Sequence, residues 1–267
     1  MNATALLAQV RRDSDGVAHI LGLSGGKDST ALALRMKELH PDMPITYICT
    51  PTGDELPEMA AHWDHLEVLL GQPLLRLTAP DGDGGVLTLK KLISKFGSLP
   101  NHRMRWCTRM LKIQPTEAFM LALQAAGPAI LYVGLRADEQ ERQGLFWRGE
   151  TRFPMREWGW REFEVWAYLA RRGVRIPRRT DCARCYEQRL VEWKLLFELH
   201  PDIYEDAATD EDGAGASFRS PGADKGRWPT RLRLLAVEFL KGRKIRGEDS
   251  YRKRVKDGTG ACRVCSL

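Results

Sequence analysis

The sequence predicts an α/β protein built on a doubly wound parallel sheet. Three observations point there. Short apolar runs at 17–23, 45–50, 74–77 and 129–133 alternate with helix-spaced stretches at 30–39, 57–70, 87–96 and 117–126. Alternation of this kind builds right-handed βαβ units with parallel strands. The first run ends in Ser24-Gly25-Gly26 and a helix follows at once, so a glycine turn and a helix N-terminus lie beyond a strand's carboxyl end, where such sheets bind ligands. At 267 residues and 43% hydrophobic content, the chain can bury one large α/β core with an appendage, or form two small domains.

The elements follow in order. Residues 3–12 suit a short amphipathic helix ahead of the first strand. The helix at 30–39 is rich in good formers and stops at His40-Pro41-Asp42. The strand at 45–50 is β-branched, and the helix at 57–70 carries proline in its first turn. Residues 81–85 are rich in glycine and aspartate and read as flexible. From about residue 150 the character changes. An aromatic turn at 153–160 precedes a helix at 161–172, with Trp158 and Trp166 as packing residues. A helix at 188–199 follows. Residues 206–226, rich in Gly, Ala, Asp and Ser, read as a mobile loop, 231–241 as the last helix, and 243–256 as a strongly basic stretch.

The net charge of +6 permits an anionic partner without requiring one. No basic region precedes an apolar one at the N-terminus and no apolar run is long enough to span a bilayer, so the expectation is a cytoplasmic protein with no membrane partner. Four of the six cysteines form two Cys-x-x-Cys pairs, Cys182/Cys185 and Cys262/Cys265. In a reducing compartment that spacing favours a metal over disulfides, either structural Zn²⁺ or an iron–sulfur cluster. Cys49 falls inside a strand and reads as core.

The turn after the first strand gathers free N–H groups and the positive end of a helix dipole, which suits a phosphate. Ser24, Ser29 and Thr30 add hydroxyls, Lys27 a cation, and Gly25 and Gly26 allow close backbone approach. The spacing does not fit Gly-x-x-x-x-Gly-Lys-Ser/Thr. Ser24-Gly-Gly-Lys-Asp-Ser29 resembles the PP-loop of the ATP pyrophosphatases, the family that includes PAPS reductases, tRNA thiolation enzymes and DNA phosphorothioation sulfurtransferases. Thr52-Gly53 and Pro57-Glu58 are similar to that family's segment after the second strand, with Pro51 in place of an aspartate. Arg105-Trp-Cys107-Thr-Arg-Met-Leu-Lys112 resembles its cysteine segment, and Gly134-Leu-Arg136-Ala-Asp138-Glu139-Gln-Glu-Arg142 its arginine motif, with Gln140 at a serine position.

The resemblance implies an adenine nucleotide alpha hydrolase-like, Rossmann-like fold. It implies a PP-loop nucleotide-binding domain over 1–150 and a C-terminal helical region with the cysteine site over 151–267. It further implies that ATP or a PAPS-like adenine nucleotide is bound by Ser24, Gly25, Gly26, Lys27, Asp28, Ser29, Thr30, Thr52, Gly53, Arg136, Asp138 and Arg142, with Mg²⁺ near Asp28 and Asp138. Lys27, Asp28, Arg136 and Cys107 are the expected catalytic residues. A [4Fe–4S] cluster, or alternatively zinc, would draw its ligands from Cys107, Cys182, Cys185, Cys262 and Cys265. The basic charge around Cys107 suggests a lowered thiol pKa. The functions implied are sulfur transfer through an adenylylated intermediate, with a nucleic acid as candidate acceptor and a protein as candidate sulfur donor; sulfite release from PAPS or APS; or nucleotide binding without catalysis.

Overall fold

A computed structural model describes residues 3–142 and 149–256. Five strands, β1 (Ala18–Gly22), β2 (Ile45–Cys49), β3 (Leu75–Arg76), β4 (Ala129–Tyr132) and β5 (Glu150–Arg152), form one sheet in the order β3-β2-β1-β4-β5. Every pairing is parallel. Side chains alternate between the faces of a strand, and each face has its own core. On one, Leu21, Tyr47 and Tyr132 meet Leu32, Met59, Leu66 and Leu169, from helices α2 (Lys27–Leu39), α3 (Pro57–Leu70) and α8 (Glu162–Arg171). On the other, Ile20, Ile48 and Leu131 meet Leu6, Met120 and Leu123, from α1 (Ala3–Leu7) and α6 (Gln114–Ala125). With both faces covered, the three central strands are buried along their whole length. This is the doubly wound α/β architecture expected.

The remaining helices are α4 (Leu89–Phe96), α5 (Trp106–Thr108), α7 (Pro154–Glu157), α9 (Leu190–Leu199), α10 (Pro201–Ala214), α11 (Leu232–Leu240) and α12 (Glu248–Lys256). A third core joins α4, α9, α10 and α11 through Leu92, Trp193, Leu196, Tyr204 and Leu235, and takes in Leu56 and Leu111 from the sheet-bearing part. The sheet's own core runs on through Val165 to Ile176, so packing does not divide the chain at residue 150.

Several elements differ from expectation. Helix α2 begins three residues early, at Lys27, because Gly26 caps it in extended conformation. Strand β5 pairs with β4 although only three residues long. Residues 106–125 form one continuous helical stretch with a π-turn at Arg109–Ile113 between α5 and α6. Pro115 explains that turn, since a proline crowds the preceding turn of a regular α-helix and a widened one admits its ring. The expected mobile loop at 206–226 is α-helical over its first nine residues. Helix α10 runs to Ala214, ends at Gly215 in left-handed conformation, and buries Tyr204, Ala207, Ala208 and Glu211. Its alanines supply helix propensity as well as small side chains for close packing. Nor is 231–241 the last helix, because α12 forms within the basic stretch. Asp81 organises the turn at 81–85 by accepting from the N–H groups of Asp83 and Gly85. Trp158 and Trp166 pack against the sheet core, and Cys49 is buried in β2. Among the described residues no helix is long and apolar enough to cross a membrane.

Candidate functional site

In this strand order β1 lies between β2 and β4, so connections leave it toward opposite sides and a crevice opens beyond the carboxyl ends of β1 and β4. The loop 23–26 and the segment 134–142 converge there. Gly134 shows how tightly. A Cβ at that position would lie 3.2 Å from the backbone of Asp28 and of Ser29, so glycine lets the β4 loop press against the first turn of α2.

The first bond of the α2 ladder runs from Thr30 N–H to the Gly26 carbonyl at 2.9 Å, leaving the N–H groups ahead of it for a ligand. Ser24 Oγ and Ser29 Oγ lie 3.0 Å apart, and Ser29 Oγ also donates to the Gly26 carbonyl at 3.2 Å. Asp28 Oδ2 accepts from Lys27 Nζ at 2.9 Å and from Arg136 Nη1 at 3.0 Å. Lys27 is buried, with Glu162 of α8 at 3.6 Å as a second carboxylate. Arg136 Nε donates to Asp138 Oδ1 at 2.9 Å, and Arg142 Nη1 donates to Glu139 Oε1 at 2.5 Å. Burial would lower the pKa of Arg136, but its bonds to Asp138 and Asp28 outweigh that and raise it. The guanidinium is therefore a fixed cation at the crevice. Asp28 Oδ1 is buried and has no partner among the described residues.

A second feature adjoins this one across β2. Cys107, Cys182 and Cys185 line one small cavity of about 40 Å³, together with Thr52, Lys112 and Tyr186. Thr52 Oγ1 lies 3.4 Å from Cys182 Sγ and donates to Glu55 Oε1 at 2.6 Å. Thr52, expected from the sequence among the nucleotide-binding residues, thus also faces the cysteines. The two parts are bolted together by Asp54. Its carboxylate accepts from Arg184 N–H at 3.0 Å and from Arg184 Nε at 2.5 Å, and its carbonyl accepts from Ala183 N–H at 2.6 Å. Burial raises the Asp54 pKa to about 6, partly offset by Arg184.

The expected low pKa at Cys107 does not hold. Burial pushes its thiol up, and Lys112 and Arg105 only partly counter that. Burial likewise raises Cys182 to about 12 and holds Cys185 well above the usual thiol range. The three thiols share the cavity without converging, and among the described residues no three His, Cys, Asp or Glu side chains are grouped to hold a metal. Cys262 and Cys265 lie outside the described residues.

The phosphoadenosine phosphosulfate reductase domain family matches residues 18–178. The match spans more than half of the chain, from β1 to just past α8. The chain belongs to this family. Within the family match fall the PP-loop, Thr52, Gly53, Cys107, Arg136, Asp138 and Arg142, while Cys182 and Cys185 lie a few residues beyond it. An NH3-dependent NAD synthetase from Campylobacter jejuni, solved in complex with the nitrate ion, is similar at 11% identity and a TM-score of 0.36, over 97% of this chain and 95% of that chain. That likeness is too distant to carry function. A comparison with curated proteins found no match.

Sequence reasoning did not find Glu162, Asp54 or Arg184. Each acts from a separate element or from between two motif cysteines. It did not find Trp63 either, whose Nε1–H donates to the Ser24 carbonyl at 3.0 Å. A neutral side chain on a helix face carries no motif.

Proposed function

We propose that this PAPS reductase-domain protein is an enzyme that binds ATP or a PAPS-like adenine nucleotide and supports sulfur transfer through an adenylylated intermediate. The observation that carries the reading is the crevice between β1 and β4, where a glycine turn and a helix N-terminus face the fixed guanidinium of Arg136. Backbone N–H groups of the turn, with Ser24, Ser29 and Thr30, hold the polyphosphate tail. Lys27 and Arg136 neutralise charge on the oxygens, and Arg142 stands behind them. Asp28 and Asp138 would hold Mg²⁺, and the unpartnered Asp28 Oδ1 fits a hard cation. Bound there, the ion supplies further neutralisation of the leaving pyrophosphate.

With ATP, an acceptor oxygen attacks the α-phosphorus. The bond to the bridging oxygen breaks and pyrophosphate leaves with its electron pair. A sulfur nucleophile then attacks the activated acceptor atom, and AMP leaves with the electron pair of the bond that joined them. Cys107, Cys182 and Cys185, joined by a cysteine of the 262–265 pair, would hold a [4Fe–4S] cluster, or alternatively zinc. Cysteine thiolates are the donor type that suits either, and the three would have to draw together around it, since they do not converge in this structure. A cluster supplies a place to hold sulfur for delivery. The acceptor fitting the basic 243–256 stretch is a nucleic acid, and the sulfur source is a donor protein.

Purification without air tests this. The expected result is iron with acid-labile sulfide, ATP binding, and AMP and pyrophosphate formation once an acceptor is supplied. Sulfite release from PAPS with thioredoxin would point to the reductase reaction instead. Nucleotide binding with no turnover under any condition would point to a regulator.

A further inference from the structure

The phosphate loop is braced from outside by one face of α3. We infer that α3 is a template for this loop and that Trp63 is a positioning residue for polyphosphate binding, an inference that rests on the reading of the loop as a phosphate site. Gly25 has φ +84°, and a Cβ there would lie 2.2 Å from Met59 Cε and 2.9 Å from Trp63 Nε1. The loop is therefore seated directly on the side chains of α3. Trp63 Nε1–H donates to the Ser24 carbonyl at 3.0 Å. His62, beside Trp63 on the same helix, is buried, and its Nε2 has no partner among the described residues.

In a trans peptide the carbonyl and the next N–H point in opposite directions. Drawing the Ser24 carbonyl toward α3 turns the Gly25 N–H to the other side. The next N–H, of Gly26, points toward Ser24 Oγ, at 3.4 Å. Successive N–H groups facing one way form an anion-binding concavity. Trp63 thus acts on phosphate through the backbone, without touching it.

Isothermal titration of the full chain with inorganic pyrophosphate and with AMP tests this. Trp63→Phe keeps a ring against Gly25 and removes the N–H. The expected result is pyrophosphate binding roughly three- to tenfold weaker, as for the loss of one orienting hydrogen bond, with AMP affinity and melting temperature held. Unchanged pyrophosphate affinity in Trp63→Phe would overturn the template role. So would a parallel loss for AMP, which marks general damage. If the wild-type chain binds no pyrophosphate, the phosphate site itself fails, an outcome distinct from either.

Discussion

Gly25 leaves no room for a side chain, and its φ is one that other residues avoid. Gly25→Ala must push back Met59 or Trp63 and strain the turn. ATP affinity is expected to fall at least about tenfold, measured by titration on a variant whose circular dichroism is unchanged. Arg184 poses the opposite problem. It sits between Cys182 and Cys185 and answers Asp54, with Asp206 and Asp210 as further partners. Removing it strands a buried carboxylate. Arg184→Ala is expected to cost about 3–5 kcal/mol in urea unfolding. The three cavity thiols, all shifted up by burial, are expected to react slowly with iodoacetamide at pH 7 in metal-free protein, where Ellman's reagent in denaturant gives the full count.

At the scale of elements, α10 and α11 are joined through one carboxylate. Glu211 accepts from Phe218 N–H at 2.9 Å and from Leu232 N–H at 2.6 Å while fully covered. Burial raises its pKa to about 7, against 4.5 when unfolded. The folded state therefore binds this proton more tightly than the unfolded chain. Stability from this group is full below about pH 4.5 and is lost as pH rises through about 7. His62 works the other way. Burial lowers its pKa to about 4, so its contribution is present above the unfolded value near 6.5 and lost as pH falls toward 4. Thermal melts between pH 5 and 8 are expected to show the Glu211 slope in the wild type and to lack it in Glu211→Gln.

At the scale of the whole molecule, the family match ends at residue 178, but the packing does not. Leu56, Leu89, Leu92 and Ile93 are covered by Trp193, Tyr204 and their neighbours. A chain cut after residue 178 exposes that apolar surface together with the unpaired Asp54. It is expected to aggregate or melt well below the full chain, as size-exclusion chromatography and calorimetry would show. Asp54 and the cavity also tie the cysteine region to the loop after β2, so the segment 181–186 closes a cavity whose other residues come from the part of the chain before residue 113.

The sequence by itself determined the sheet class, the position of the glycine loop after β1 and the arginine segment that faces it. Those rest on local signals: alternating apolar runs, a double glycine before a helix, and charged motifs at fixed spacing. It also singled out Cys107 and Cys182/Cys185, which the fold brings to one cavity. Tertiary structure alone decided the rest. Burial raised the Cys107 pKa against the pull of neighbouring basic residues. The cover of Tyr204, Ala207 and Ala208 turned an alanine- and aspartate-rich stretch into α10. Trp63, Arg184 and Glu162 gained their roles only when elements far apart in the chain were packed together, because hydrogen bonds and desolvation depend on neighbours in space, not in sequence.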